Sequence, residues 1–177
     1  MSDGLLAKAG RIRLLLFDVD GVLTDGTVVM HADGSESKGF NIRDGAAMVW
    51  AQRAGLTVGL LSARTSGATA HRAAQLAVRI VEQGVQSKLK AYEQIARDAC
   101  VADTDIAYMG DDLLDLPVIA RVGLSAAPAD AAAEVRARVD WVSAQAGGRG
   151  AVRELIELVL RAQQRWEDVL RQYSPQE

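Results

Sequence analysis

The chain has 177 residues, 49% of them hydrophobic and 24% charged, with a formal net charge of −3. That length supplies one domain with a proper core. The slight acidity, with no Lys/Arg block, excludes a general field for nucleic acid or an anionic membrane. A single cysteine, Cys100, excludes an internal disulfide. The opening MSDGLLAKAGRIR has no apolar signal core and no run reaches transmembrane length, so a cytoplasmic enzyme or binding protein is expected.

In chain order, residues 12–17 read as a buried strand that runs into Asp18, Asp20 and Gly21. Residues 27–31 and 37–41 form two strand-like arms around Asp33-Gly34, a hairpin of about 27–41 with His31 exposed near its turn. Further apolar runs at 56–61, 79–81, 106–109, 122–125 and 139–142 read as strands. Helical patterns fall at 45–54, 68–76, 88–99, 113–120 and 129–137, and a last helix runs from about 151 to 170. Cys100 falls at a predicted helix and reads as a small core residue. Strand alternating with helix predicts an α/β fold, a Rossmann-like three-layer sandwich with a mostly parallel sheet and no room for a second domain.

Ligands of parallel sheets bind beyond the carboxyl ends of the strands. Asp18 and Asp20 follow the first strand, Ser62-Ala63-Arg64-Thr65 the second, and Gly110-Asp111-Asp112 the fourth, while Lys88 opens the helix after the third. One pocket is therefore expected to gather carboxylates, a hydroxyl, an Arg and a Lys. Carboxylate oxygens are the donors Mg²⁺ prefers, and a metal-clamped phosphate can be attacked by a carboxylate. Each feature alone is weak, since DxD is common and Gly-Asp-Asp can be a turn and an N-cap. Their joint occurrence at strand ends carries the argument.

The four segments FDVDGVLTDG, LLSAR, Lys88 and GDDLLDLP resemble the signature of the haloacid dehalogenase (HAD) phosphatase superfamily. KGFNIRDG, GVQSKL, GDDLLDLPVIARVG and AGGRGAVRE extend the resemblance to its capless branch, typified by 3-deoxy-D-manno-octulosonate 8-phosphate phosphatase. The resemblance implies a HAD-like hydrolase domain over 1–177 without a cap, its hairpin a flap after the first strand. It implies that Asp18 is the nucleophile and Asp20 the acid and base. Ser62 and Lys88 bind the phosphoryl group. Mg²⁺ is held by Asp18, the backbone carbonyl of Asp20, and Asp111. Asp112 is expected just behind, orienting Lys88 or a metal-bound water, and Asp115 is expected to be structural.

The same resemblance places substrate contacts at Asn41, Ile42, Arg43, Asp44 and Gly45, and at Arg64 and Arg72, where arginines suit a sugar-acid carboxylate. It implies a homotetramer with hairpins meeting centrally and a tail of about 147–172 reaching an adjacent site; Gly147-Gly148-Arg149-Gly150 reads equally as a flexible loop. The family spelling DGxGI followed by Lys or Arg is broken here by Ala47 and Val49. Val49-Trp50-Ala51 is similar to a sister branch acting on nine-carbon 9-phosphates, whereas Arg64 favours the eight-carbon acid. The implied activity is hydrolysis of 3-deoxy-D-manno-octulosonate 8-phosphate for lipopolysaccharide synthesis. A nonulosonate 9-phosphate or another small sugar phosphate is the alternative substrate, and a non-catalytic oligomerising module the alternative of another class.

Overall fold

The computed structural model describes residues 2–173. Elements follow in the order α1 (Asp3–Arg11), β1 (Leu14–Phe17), β2 (Val29–Met30), β3 (Glu36–Ser37), α2 (Ile42–Arg53), β4 (Thr57–Leu61), α3 (Gly67–Gln75), β5 (Ile80–Glu82) and α4 (Lys88–Ala99). They continue with β6 (Ile106–Met109), α5 (Leu116–Ile119), β7 (Leu124–Ala127), α6 (Ala133–Arg136), β8 (Trp141–Val142), α7 (Ala151–Ala162) and α8 (Trp166–Arg171). Six strands form one sheet in the order β5-β4-β1-β6-β7-β8, and every pair in it is parallel. No helix among the described residues is long and apolar enough to cross a membrane.

β1 shows why both faces of this sheet need cover. Its four residues are all buried, and the two-residue period sends them to opposite sides. Leu15 and Phe17 join the core beneath α2 and α7, with Met48, Leu155 and Val159. Leu14 and Leu16 join the opposite core beneath α4 and α5, with Tyr92, Ile95 and Val118. A continuous apolar run is what a central parallel strand requires. The chain crosses outward from β1 through β4 to β5, then returns to the other side of β1 with β6. That reversal leaves a crevice at the carboxyl ends of β1 and β6, where open α/β sheets bind ligands.

Several elements differ from expectation. α1 was not anticipated; Ser2 caps it by accepting from the Leu5 N–H, and Lys8 ties it to Asp140 at 2.5 Å. The hairpin ladder is only Val29↔Ser37 and Met30↔Glu36. Its second arm does not reach Asn41, whose side chain instead caps α2 by accepting from the Arg43 N–H. The expected final helix is two helices. Gln164 takes a left-handed φ of 58°, and the turn it makes lets Trp166 and Val169 fold back into the core. Cys100 is not a core residue: it is the left-handed C-cap of α4 and is exposed.

Candidate active site

Asp18 is the first residue beyond β1, and its N–H continues the ladder to Met109 O at 3.0 Å. Ser62 stands in the same way beyond β4, its N–H on Glu82 O at 2.8 Å. The Ser62 hydroxyl oxygen accepts from the Arg64 N–H at 3.2 Å, which leaves the hydroxyl hydrogen to donate elsewhere. Lys88 is the first residue of α4, whose N-cap is Ser87. Its ammonium lies 2.9 Å from Asp18 and 2.6 Å from Asp115. Asp18, Asp20, Ser62, Arg64, Lys88, Asp111 and Asp112 therefore line one cleft of about 290 Å³, with Asp115 at its floor.

Asp115 organises this floor. It is fully buried, and one of its oxygens accepts from Lys88 at 2.6 Å and from the Tyr108 hydroxyl at 2.5 Å. The other accepts from the backbone N–H groups of Asp111 at 2.9 Å and Asp112 at 3.1 Å. Gly110 must be glycine here, because a Cβ would stand 2.4 Å from the Asp115 carboxyl carbon. Asp112, expected to orient Lys88, does not do so. It is exposed, and its carboxylate caps the short 3₁₀ turn Leu113–Asp115 by accepting from the Leu113 N–H at 2.7 Å. The orienting of Lys88 belongs to Asp115.

The electrostatics of the cleft call for a cation. Burial, and then the charge of Asp115, push the Asp18 carboxyl up to about 6. Burial and the neighbouring Asp18 push Asp111 up to about 8. Burial alone would lower Lys88, but the charges of Asp18 and Asp115 outweigh it and raise it above the ordinary lysine range. Carboxylate oxygens of Asp18, Asp111 and Asp115 lie within 4.8 Å of one another. Asp115 is already saturated by four donors, so a cation here would fall to Asp18 and Asp111. The site is also shaped around that pair: Gly21 has φ +87°, and a Cβ on it would stand 2.0 Å from an Asp111 oxygen. An oxygen-only donor set of this kind fits Mg²⁺.

The expected substrate segment lies apart. Asn41, Ile42 and Arg43 line a second cleft with Asp25, Phe40, Gly148 and Arg149. Asp44 is buried, and its oxygens accept from Gly150 N–H at 3.2 Å and Arg153 N–H at 2.8 Å, serving the amino end of α7. Gly45 is buried beneath Arg72, whose guanidinium a Cβ would meet at 2.2 Å. Arg72 donates to Asn41 O at 3.4 Å across the α2–α3 seam. Of the residues expected to touch substrate, the cleft brings Arg64, Asp20 and Lys88 together; it does not bring in Asp44, Gly45 or Arg72. The segment 147–150 packs on its own chain. Gly148 N–H donates to Val22 O at 2.9 Å, Asn41 donates to Gly148 O at 3.2 Å, and a Cβ on Gly147 would stand 1.8 Å from Gly21 O. It braces the loop after Asp18. Trp50 packs edge-on against Trp166 at 5.8 Å and beneath the Arg153 guanidinium, so its presence answers to α7 and α8.

Two hairpin residues had no role assigned from the sequence, Glu36 and Lys38. Lys38 lies 2.6 Å from Asp20, and Glu36 lies 3.0 Å from Arg64. Their alternation on a strand would have been the available signal.

Comparison with known proteins is consistent with this geometry. A family model for haloacid dehalogenase-like hydrolases matches residues 57–155. The 3-deoxy-D-manno-octulosonate 8-phosphate phosphatase of Escherichia coli (strain K12) is 43% identical over 163 residues, covering 92% of this chain and 87% of that protein. The crystal structure of the phosphatase of that name from Yersinia pestis matches with a TM-score of 0.93 at 39% identity, over 94% of this chain and 90% of the other. The Moraxella catarrhalis structure, in complex with magnesium, phosphate and KDO, matches with a TM-score of 0.96 at 30% identity, over 98% and 100% of the two chains.

Proposed function

Since the chain belongs to the haloacid dehalogenase-like hydrolases, and among them to the 3-deoxy-D-manno-octulosonate 8-phosphate phosphatases, we propose that it hydrolyses 3-deoxy-D-manno-octulosonate 8-phosphate to the free sugar acid and phosphate. The observation that carries the reading is the Asp18 carboxylate, held 2.9 Å from Lys88 beside Asp111 at the switch point of the sheet. Asp18 attacks phosphorus and becomes an aspartyl-phosphate. Asp20 gives its proton to the departing C8 oxygen, then takes one from the water that releases phosphate. Ser62 donates its hydroxyl hydrogen to a phosphoryl oxygen, and Lys88 offsets the phosphoryl charge. Phosphoryl transfer depends chiefly on such positioning and electrostatics.

Asp18, Asp111 and the backbone carbonyl of Asp20 would hold Mg²⁺, which when bound offsets phosphoryl charge as a Lewis acid. The raised Asp18 and Asp111 carboxyls support that assignment. Arg64, at the cleft mouth, suits the sugar-acid carboxylate. The exposed apolar side chains of Val29, Met30 and Ile42 around the hairpin support a homotetramer joined there. A homotetramer joined there would set Asn41–Arg43 beside the subunit contact, apart from their own chain's Asp18 cleft. A cytoplasmic site of action goes with this reading. The deciding experiment is phosphate release with Mg²⁺ from 3-deoxy-D-manno-octulosonate 8-phosphate and from a nonulosonate 9-phosphate. The larger kcat/KM is expected for the eight-carbon ester; preference for the nine-carbon ester would transfer the chain to the alternative substrate, and no hydrolysis of either or of any other sugar phosphate in a panel would leave the non-catalytic module.

A further inference from the structure

The hairpin puts a buried lysine on the catalytic loop. We propose that Lys38 is a positioning residue for phosphoryl transfer, holding the Asp20 carboxylate on the leaving-group side of the cleft. This rests on the reading of Asp20 as proton donor given above.

The Lys38 side chain has no exposed surface, while that of Asp20 retains 19%. Its ammonium donates to one Asp20 oxygen at 2.9 Å and lies 2.6 Å from the other, which it holds by charge without a hydrogen bond. Glu36, two residues earlier on the same arm, lies 3.8 Å from the ammonium and 3.0 Å from Arg64. Among the described residues, the only other cation within reach of Asp20 is Arg64, at 3.6 Å with half its side chain in solvent. A mobile, hydrated guanidinium fixes a carboxylate poorly, whereas the desolvated Lys38 ammonium is closer to Asp20, at 2.6 Å, than to its other carboxylate neighbour Glu36, at 3.8 Å. Lys38 does not line the cleft, so it acts through Asp20 and not on substrate. Asp20 is also absent from the group formed by Asp18, Asp111 and Asp115, which keeps its carboxylate apart from the cation site. The bland alternative is that Asp20 serves Lys38, pinning a two-rung hairpin to the body of the protein. The two readings differ in what losing Lys38 does to proton donation.

As the bond from Asp18 oxygen to phosphorus forms and the bond from phosphorus to the C8 oxygen breaks, the departing oxygen takes the Asp20 proton and Asp20 is left a carboxylate. A sugar alkoxide needs that proton; p-nitrophenolate, a stable anion, leaves without it. The value of kcat/KM covers only steps through this cleavage, so later hydrolysis of the aspartyl-phosphate does not enter. Lys38→Met is therefore expected to lower kcat/KM for 3-deoxy-D-manno-octulosonate 8-phosphate by about 10–100-fold, part of what general acid catalysis supplies. The loss for p-nitrophenyl phosphate should stay under about 3-fold. In the Asp20→Asn background, adding Lys38→Met should cause no further loss, and that double variant leaves no buried charge unpaired. Equal losses on the two substrates, no loss on either, or a further fall in the double variant would overturn the proposal. If Lys38→Met does not fold, Lys38→Gln, an uncharged donor, is judged by the same ratio. Asp18→Asn distinguishes loss of the phosphatase activity from loss of the Lys38 role. Activity surviving in it removes the phosphatase reading itself; its inactivity beside an unaffected Lys38→Met removes only the role of Lys38.

Discussion

At the scale of single residues, two aspartates three positions apart have opposite fates. Asp115→Ala strips partners from a buried ammonium, a buried phenol and two backbone N–H groups. It should cost about 3 kcal/mol in chemical denaturation and most of the activity. Asp112→Ala removes one exposed cap and should cost about 1 kcal/mol with activity largely kept. Equal costs would contradict the placement. The spelling GDDLLD tells that carboxylates meet at this strand end, but not which of them turns inward. That depends on the 3₁₀ turn, which rotates Asp115 under Lys88 and leaves Asp112 outside. Titration supplies a second prediction. In the folded state Asp18 and Asp111 keep their protons to about 6 and about 8. The unfolded chain releases them near the ordinary carboxylate value, so between the two the folded state binds more protons and its stability falls as pH rises. Mg²⁺ needs both groups ionised, so its stabilising effect grows over the same interval. Melting of chelator-treated protein should therefore drop in temperature from pH ~5 to ~8, with added Mg²⁺ reversing the drop increasingly towards the alkaline end. A melting temperature independent of both pH and metal would count against a cation at this pair.

At the scale of elements, the amino end of α7, the start of α2 and the loop after β1 meet at the glycines 147–150. Sequence pattern places the helices and the strand, because each carries a long apolar repeat. It does not place the knot, whose backbone groups meet backbone and side-chain partners more than a hundred residues away, as at Gly148 with Val22 and Asn41 and at Gly150 with Asp44. α1 went unanticipated for a related reason: it buries only Ala9 fully, so its apolar face barely stands out from a polar opening. The turn at Gln164 carries no Gly or Pro to mark it. Gly147→Ala is the test of the knot. Its Cβ would stand 1.8 Å from Gly21 O, and relief must come by moving either the glycine segment or the loop carrying Asp20. We expect a loss of about 1–3 kcal/mol and a clear fall in kcat, although no charged group is touched. Normal kcat in a stable Gly147→Ala protein would show that the segment does not brace the loop. Asp44→Ala should likewise destabilise by about 1 kcal/mol through α7, and a greater effect on KM than on stability would return Asp44 to substrate binding.

At the scale of the whole molecule, the parallel sheet and its switch point were legible from the alternation of apolar runs and helical repeats, and with them the crevice that collects Asp18, Ser62, Lys88 and Asp111. What alternation cannot reveal is where exposed apolar surface finds its partner. Val29, Met30 and Ile42 remain in solvent on the isolated chain. Replacing Val29 and Met30 by Asp should shift sedimentation from the proposed tetramer to a smaller species. A wild-type chain that sediments as a monomer would instead leave that patch unexplained by assembly. The proposed hydrolysis depends most directly on Asp18 as nucleophile. Phosphate release from 3-deoxy-D-manno-octulosonate 8-phosphate with Mg²⁺ should be readily measured for the wild-type protein and lost in Asp18→Asn, with unchanged circular dichroism. Comparable turnover by the two proteins would contradict the mechanism.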